Sequence, residues 1–478
     1  MTTPPPLATT PTQPPLPPLS GGATGPTALH PLLDTVLTAL TTGTATRPGP
    51  LPAGGPEHTA AQLRAAAHPL LPTTGTGPHQ ALRTLVHALA AGAADPAHPH
   101  CAAHLHCPPL AVAAAADLAA SALNPSMDSW DQAPAASALE ETLTRTLAAE
   151  LYPDTPHPDT LITTGGTESN QLALLLAREK HAHHGPLQLV VGANAHHSLT
   201  RAAWLLGLPE PIVVPAPNGT LDPAALDEAL THLHHPTLVT ATAGTTDTGE
   251  IDPLPDIADL CERHHADLHI DAAYGGTVLF SPTHRHLLTG LQRAHTITLD
   301  LHKLGWQPVA AGLLAVRDTT TLAPLTHQAD YLNADDDTQA GIPDLLGRSL
   351  RTTRRADALK IAVTLKSLGR DGLADLIDRT LAAARHLADL VDIHPDLDLY
   401  DRPTLSTVLF RPTGATDHDV AHLRRRLLTE GRAVLGRTHT SGRLWFKATL
   451  LNPHTTPTDL QALLDHITHV THTSPSGV

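Results

Sequence analysis

Three short stretches of this 478-residue sequence set chemically capable side chains at the ends of apolar runs. In LITTGGTESNQLALLLAREK (161–180) a strand pattern runs into a small-residue turn, and a helical pattern starts near Thr167 and Glu168. Gly165 and Gly166 permit close backbone approach, Thr167 adds a hydroxyl, and the first turn of a helix carries N–H groups without intrahelical acceptors, which together suit a phosphate. No lysine follows the glycines, so this is not a Walker A loop; taken alone, the motif also fits a plain glycine-rich strand-to-helix turn. In ADLHIDAAYGG (266–276) Asp271 closes a strand, at the edge where open α/β sheets bind ligands. It is either a turn or N-cap residue or the partner of a buried cation. In TITLDLHKLGWQP (296–308) Lys303 follows the next strand, in a chain whose other lysines are Lys180, Lys360, Lys366 and Lys447. A lysine is ordinarily solvated; one withdrawn from water serves as an amine nucleophile toward an aldehyde.

Such residues need a sheet whose strands end at one edge. Between about 108 and 350, short apolar runs alternate with helical patterns, at 187–194, 210–216, 237–244, 266–273, 296–302 and 310–318, which predicts a mostly parallel sheet covered by helices. Before it, leucine and alanine spacing predicts helices over 28–42 and 58–95, and PPLAVAAAADLAASAL (108–123) reads as a buried helix too short to span a bilayer. After it, a long helix over 355–369 leads to strands at 406–412 and 443–451 and helices at 417–431 and 456–470, the pattern of a small α+β unit. The expected organisation is a Pro/Thr-rich tail (1–26), a helical N-terminal arm (27–107), a large α/β domain (108–354) and a small C-terminal domain (355–478).

Composition narrows the function. A formal charge of -16 argues against nucleic acid or an anionic membrane as partner, leaving a small molecule. Three cysteines, Cys101, Cys107 and Cys261, with no CxxC spacing favour a reducing compartment, and the proline-rich start lacks the basic and apolar regions of a secretory signal; both point to the cytoplasm. The histidine runs at 181–185 and 231–236 and the tightly spaced CAAHLHC (101–107) lack the framework of a zinc site, so no metal is expected.

Glycine turn, strand-end aspartate and strand-end lysine follow one another in the order of the aspartate-aminotransferase-like fold. From about residue 100 onward the chain resembles the group II pyridoxal-dependent amino-acid decarboxylases, with matching segments in the family's order: ALNPSMDSWDQAPAASALE (122–140), TTGGTESNQLALLLARE (163–179), NAHHSLTRAAWLLGL (194–208), ATAGTTDTGEIDPL (241–254), HIDAAYGG and DLHKLGWQP. The resemblance implies a large domain of PLP fold type I, pyridoxal 5′-phosphate (PLP) held on Lys303, Asp271 at the pyridine nitrogen, His196 stacked on the ring, the phosphate at Gly166 and Thr167, and Ala273, Thr245 and His302 completing the site. It implies Tyr331, in ADYLN, as the acid that returns a proton to the carbon losing carbon dioxide, and a homodimer. The alternative for Tyr331 is a loop aromatic packed on the surface.

Within the family, AHLHCPPL, SALNPSMDSWDQ, ADYLNADD and RSLRTTRRADALK are most similar to diamino-acid decarboxylases acting on 2,4-diaminobutyrate, ornithine or lysine. Asp128, Trp130 and Asp131 are then expected beside the substrate channel, the carboxylates facing a distal ammonium; the alternative makes both solvated or caps of a helix beginning near Pro134. Arg355 matches a family arginine near the site and is otherwise a solvated helix start. Two positions depart from the pattern: Asp300 stands where aromatic-type relatives often carry Asn, and Trp306 lies where it can alter the pocket. An aromatic or glutamate-type decarboxylase, an aminotransferase and an aldehyde-forming enzyme are the competing readings, since fold and cofactor do not fix which bond breaks.

Overall fold

A computed structural model describes residues 16–327, 329 and 332–472. The first strand, β1 (Cys101–Ala102), is followed by β2 (Asp159–Thr163), β3 (Gln188–Gly192), β4 (Ile212–Val214), β5 (Thr237–Thr242), β6 (Asp267–Asp271), β7 (Thr296–Asp300) and β8 (Gly312–Val316). Strands β2 to β8 form one seven-stranded sheet in the order β2-β8-β7-β6-β5-β3-β4. All run parallel except β8, which is antiparallel to both its neighbours. Every residue of β5, β6, β7 and β8 is buried, as a parallel sheet covered on both faces requires. Helix Gly166–Lys180 packs on β7 and β8, and helix Leu254–Arg263 on β5 and β6.

A second sheet, β1-β11-β12-β10-β9, contains β9 (Leu397–Leu399), β10 (Thr407–Pro412), β11 (Val434–Thr440) and β12 (Arg443–Thr449). It is antiparallel apart from β1, which lies parallel to β11. The N-terminal arm thus donates an edge strand to the C-terminal unit. Trp306, with φ of +51°, is fully buried and donates its indole N–H to Leu451 O at 2.8 Å, so it pins the lysine loop to the second unit instead of shaping a pocket.

Several sequence expectations shift here. The predicted 58–95 helix is two helices, Gly55–Ala67 and Pro78–Gly92, because Pro69, Pro72, Gly75 and Gly77 interrupt it. The first helix, Gly25–Thr44, begins inside the segment expected as tail. The 108–123 stretch forms helix Ala111–Leu123, but only Ala113, Ala116 and Ala120 are buried and Leu123 is 74 % exposed; it is amphipathic, and the half-buried Asp117 is accommodated by pairing with Arg355 and Lys360. The long helix after the large sheet runs Ala358–Asp392, with one non-helical residue at Gly369 (φ +62°). Among the described residues no helix is long and apolar enough to cross a membrane.

Candidate active site

The carboxyl ends of β2, β5, β6 and β7 open on one edge, and the chain turns there into its functional loops. After β2, Gly165 adopts φ +152° and ψ 178°, a conformation essentially restricted to glycine. A Cβ on Gly165 would lie 3.0 Å from His302 Cε1, and one on Gly166 would lie 3.1 Å from both Ala273 Cβ and Asp300 Oδ2. The two glycines therefore leave a cradle walled by Ala273, Asp300 and His302. The first intrahelical bond runs from Ser169 N–H to Gly165 O at 3.0 Å, so the N–H groups of Gly166, Thr167 and Glu168 precede it and are available to an anion. Thr167 is exposed at this opening. Glu168 closes the turn by accepting from Thr164 N–H (2.6 Å) and from Arg351 Nε (3.1 Å).

Asp271, the last residue of β6, is 5 % exposed. It accepts from Ala273 N–H at 3.1 Å and from Asn170 Nδ2 at 2.8 Å; among the described residues no Lys, Arg or His lies within ion-pair distance of it. A carboxylate so deeply buried with neutral donors alone calls for a cation. A protonated pyridine nitrogen is such a cation, and the donor set fits PLP on this ground.

Lys303 Nζ lies 2.9 Å from Asp300 Oδ2, while Asp300 Oδ1 is buried without a partner. His302 accepts from Ala311 N–H on Nδ1 (3.3 Å), and its Nε2 is 3.6 Å from Asp300; burial lowers its pKa, with Asp300 opposing and Lys303 reinforcing the shift. Of the other described lysines, Lys366 is exposed on helix Ala358–Asp392 and three are engaged. Lys180 pairs with Asp267 and Lys360 with Asp357, and Lys447 donates to Thr246 O at 2.8 Å. Thr245, 1 % exposed, shares a hydrogen bond with Thr248 Oγ1 and accepts from Glu250 N–H, which fixes the loop after β5. The Cys107 thiol donates to His302 O at 3.2 Å, and burial pushes its pKa up to about 12, which keeps it unreactive.

His196 precedes helix Ser198–Leu205. Its Nδ1 accepts from Ser198 N–H (3.3 Å) and lies 2.8 Å from Ser198 Oγ; burial lowers its pKa, with Asp271 opposing. Four sequence-singled groups, the glycine turn, Asp271 with Ala273, His302 with Lys303, and His196, are thus connected through direct contacts or shared neighbours. Tyr331 lies outside the described residues.

The residues expected on the substrate side are held by the following contacts. Asp128 accepts from Ser126 Oγ and from Thr353 Oγ1 (3.3 Å) and is half-buried; Asp131 accepts from Ser129 Oγ and is exposed, as is Trp130. Helix Pro134–Leu151 has Ala133 at its N-cap and no side-chain cap, so neither carboxylate caps it. Arg355 is no solvated helix start: it donates to Asp117 Oδ1 (2.7 Å), Asp117 O (2.7 Å) and Ser121 Oγ (2.8 Å). Its guanidinium straps helix Ala111–Leu123.

Sequence reasoning passed over Asn170, Ser198 and His269. A readable cue was a mid-helix Asn, poor in helix propensity, on the face that must cover the sheet. His269 is fully buried on β6, and burial pushes its pKa down to about 4. The unfolded chain takes up a proton below pH 6.5 that the folded chain refuses, so stability is present at neutral pH and is lost as pH falls toward 4. This residue alone accounts for about 2 kcal/mol between pH 7 and pH 5. Urea midpoints are expected to fall over that interval, and to fall less in His269→Gln; equal slopes for the two proteins would contradict the assignment.

The profile of the pyridoxal-dependent decarboxylase conserved domain matches residues 78–413. The chain is 43% identical over 418 residues to the L-2,4-diaminobutyrate decarboxylase of Rhizobium meliloti (strain 1021), covering 83% of each. It is 32% identical over 428 residues to that of Acinetobacter baumannii, covering 82% of this chain and 84% of the other. In three dimensions it matches the glutamate decarboxylase domain of diaminobutyrate-pyruvate transaminase and L-2,4-diaminobutyrate decarboxylase from Vibrio parahaemolyticus with a TM-score of 0.84 at 32% identity, over 95% of this chain and 97% of that one.

Proposed function

The chain belongs to the pyridoxal-dependent decarboxylases, and from that premise we propose that it is a diamino-acid decarboxylase acting first on L-2,4-diaminobutyrate, with ornithine and lysine as longer analogues. It is a PLP-dependent carboxy-lyase of fold type I. The observation that carries the substrate reading is the 43% identity to a diaminobutyrate decarboxylase across 83% of both chains.

Bound PLP supplies an electron sink for the pair left behind when carbon dioxide departs. The chain's own groups do the rest. The helix N-terminus at Gly166–Glu168 would hold the phosphate, Asp271 would keep the ring nitrogen protonated, and His196 would cover the ring. Lys303 would supply the amine that holds the cofactor's aldehyde carbon. Tyr331, on the family resemblance, returns the proton. Asp128, half-buried and held by two hydroxyls, is favoured over the exposed Asp131 as the acceptor for a distal ammonium, because an ammonium taken from water needs a carboxylate or several acceptors.

We place the enzyme in the cytoplasm, in keeping with its three free cysteines. We also propose a homodimer, supported by the exposed Leu37, Leu40, Leu85 and Leu89 on the N-terminal helices.

The test is kcat/KM across a panel of amino acids. The expected order puts 2,4-diaminobutyrate, ornithine or lysine at least about 100-fold above phenylalanine, tyrosine, tryptophan and glutamate, with Asp128→Asn lowering the diamino substrates selectively. Preference for an aromatic or acidic amino acid would sink the diamino reading and leave the decarboxylase standing.

A further inference from the structure

A polar stripe runs across β6 and β7 of the large sheet. His269 and Asp271 alternate along β6 and are register partners of Thr296 and Thr298 on β7, so the side chains of all four point to one face. Asn170, on the second turn of helix Gly166–Lys180, closes over them and is 0 % exposed. Its Nδ2 donates to Asp271 Oδ2 (2.8 Å) and to Ser198 Oγ (2.8 Å). Its Oδ1 accepts from Thr298 Oγ1 (2.9 Å) and faces His269 Nε2 at 3.0 Å. All four hydrogen-bonding positions of one amide are filled.

That count fixes the direction of the other bonds. Asn170 Oδ1 only accepts, so His269 donates from Nε2, and its Nδ1, 2.8 Å from Thr296 Oγ1, accepts. Ser198 Oγ receives the Asn170 proton and gives its own to His196 Nδ1, which also accepts from Ser198 N–H. The His196 proton is therefore on Nε2, and the ring is neutral. Asp271, which faces only donors, is left as a pure acceptor.

We propose that Asn170 is a positioning residue of the decarboxylation site, joining Asp271 directly and His196 through Ser198 into one hydrogen-bonded unit that sets the orientation of both and the tautomer of His196. The proposal rests on Asp271 and His196 being the groups that flank the cofactor ring. Asn170 touches neither substrate nor cofactor; it acts by denying Asp271 rotational freedom and by handing a fixed proton arrangement to the ring nitrogen of His196. Buried, fully satisfied networks of this kind specify one arrangement, and loss of a supporting hydrogen bond commonly costs about 10- to 100-fold in function.

The experiment uses full-length holoenzyme and four variants, Asn170→Leu, Ser198→Ala, the double variant of these two and Asp271→Asn, with five readouts: the pH titration of bound-cofactor absorbance, the Kd for PLP by fluorescence, Tm, kcat and KM. Asn170→Leu is expected to fold, to shift the absorbance titration by about half a unit or more, and to lower kcat about 10- to 100-fold with KM changed less than about threefold. Ser198→Ala should show a smaller shift of the same kind. The Asn170→Leu/Ser198→Ala double variant should be no worse than Asn170→Leu, because Ser198 acts through the same unit. A purely structural role would lower Tm and cofactor content and leave the titration of the bound fraction unchanged, and that result overturns the proposal. So do losses that multiply in the double variant. Should Asn170→Leu fail to fold, Ser198→Ala, which deletes one oxygen, decides: an unaltered titration and kcat reject the network. Wild-type behaviour of Asp271→Asn would instead reject the site assignment itself, whereas an inactive Asp271→Asn beside wild-type-like Asn170→Leu and Ser198→Ala rejects only the role of Asn170.

Discussion

Lys303→Ala is expected to lose turnover by at least about 10⁴-fold and to hold no cofactor covalently after borohydride reduction and denaturation, because no other described lysine follows a strand of the large sheet at this edge. Lys180 and Lys360 are tied to carboxylates, and Lys447 reaches a loop carbonyl. The substitution has a second consequence that must be separated from the first. It strips the 2 %-exposed Asp300 of the ammonium 2.9 Å away, and breaking such a pair from one side costs on the order of 3 kcal/mol. The cofactor-free Lys303→Ala protein should therefore melt lower than wild type. Adding Asp300→Asn should restore most of the Tm while leaving the enzyme inactive. A Lys303→Ala protein with substantial activity would remove the anchoring residue from the account; a double variant that regains activity would assign the loss to folding.

Asp271→Asn separates the folded scaffold from the chemistry in the opposite way. Without cofactor, Asp271 is a buried carboxylate supported by two neutral donors, so neutralising it should leave the cofactor-free Tm unchanged within about 2 °C or raise it. With cofactor, the same change removes the counter-charge for the ring nitrogen and weakens the electron sink; kcat is expected to fall by about 10³-fold or more. Calorimetry of the cofactor-free protein and kinetics of the loaded one read the two arms. Retained kcat would show that the carboxylate is a structural turn residue, the plain reading its position at a strand end also allowed.

Much of this was legible because parallel strands buried on both faces announce themselves as continuous apolar runs. The runs at 237–244, 266–273 and 296–302 became β5, β6 and β7 within a residue or two, and the strand ends carried Asp271 and the approach to Lys303. The short edges were not legible. β1 has two residues and β9 three, and β11 reads VLGRTHT, with alternate residues exposed in its second half; each forms because a neighbour strand offers a ladder, which no local pattern reveals. The site shows the same division. Residues that face the ligand stood at glycine turns and strand ends, whereas Asn170, Ser198 and His269 act through the register between β6 and β7 and through a helix laid across them. Asp128, Asp131 and Arg355 are expected near the substrate from the family likeness alone, which does not reveal the partners that hold them: Ser126 and Ser129 close in sequence, Thr353 and Asp117 brought in by the fold.

In a decarboxylase the bond to the α-carboxyl group, and no other, is the one broken. The direct measurement incubates holoenzyme with 1-¹³C-labelled L-2,4-diaminobutyrate in D₂O and follows carbon dioxide and nitrogen products by mass spectrometry and NMR. Labelled carbon dioxide and 1,3-diaminopropane are expected in equal amounts, the diamine retaining both nitrogens and carrying one solvent deuterium on carbon. Release of ammonia with an aldehyde, or transfer of the amino group with the label retained in a keto acid, would contradict it.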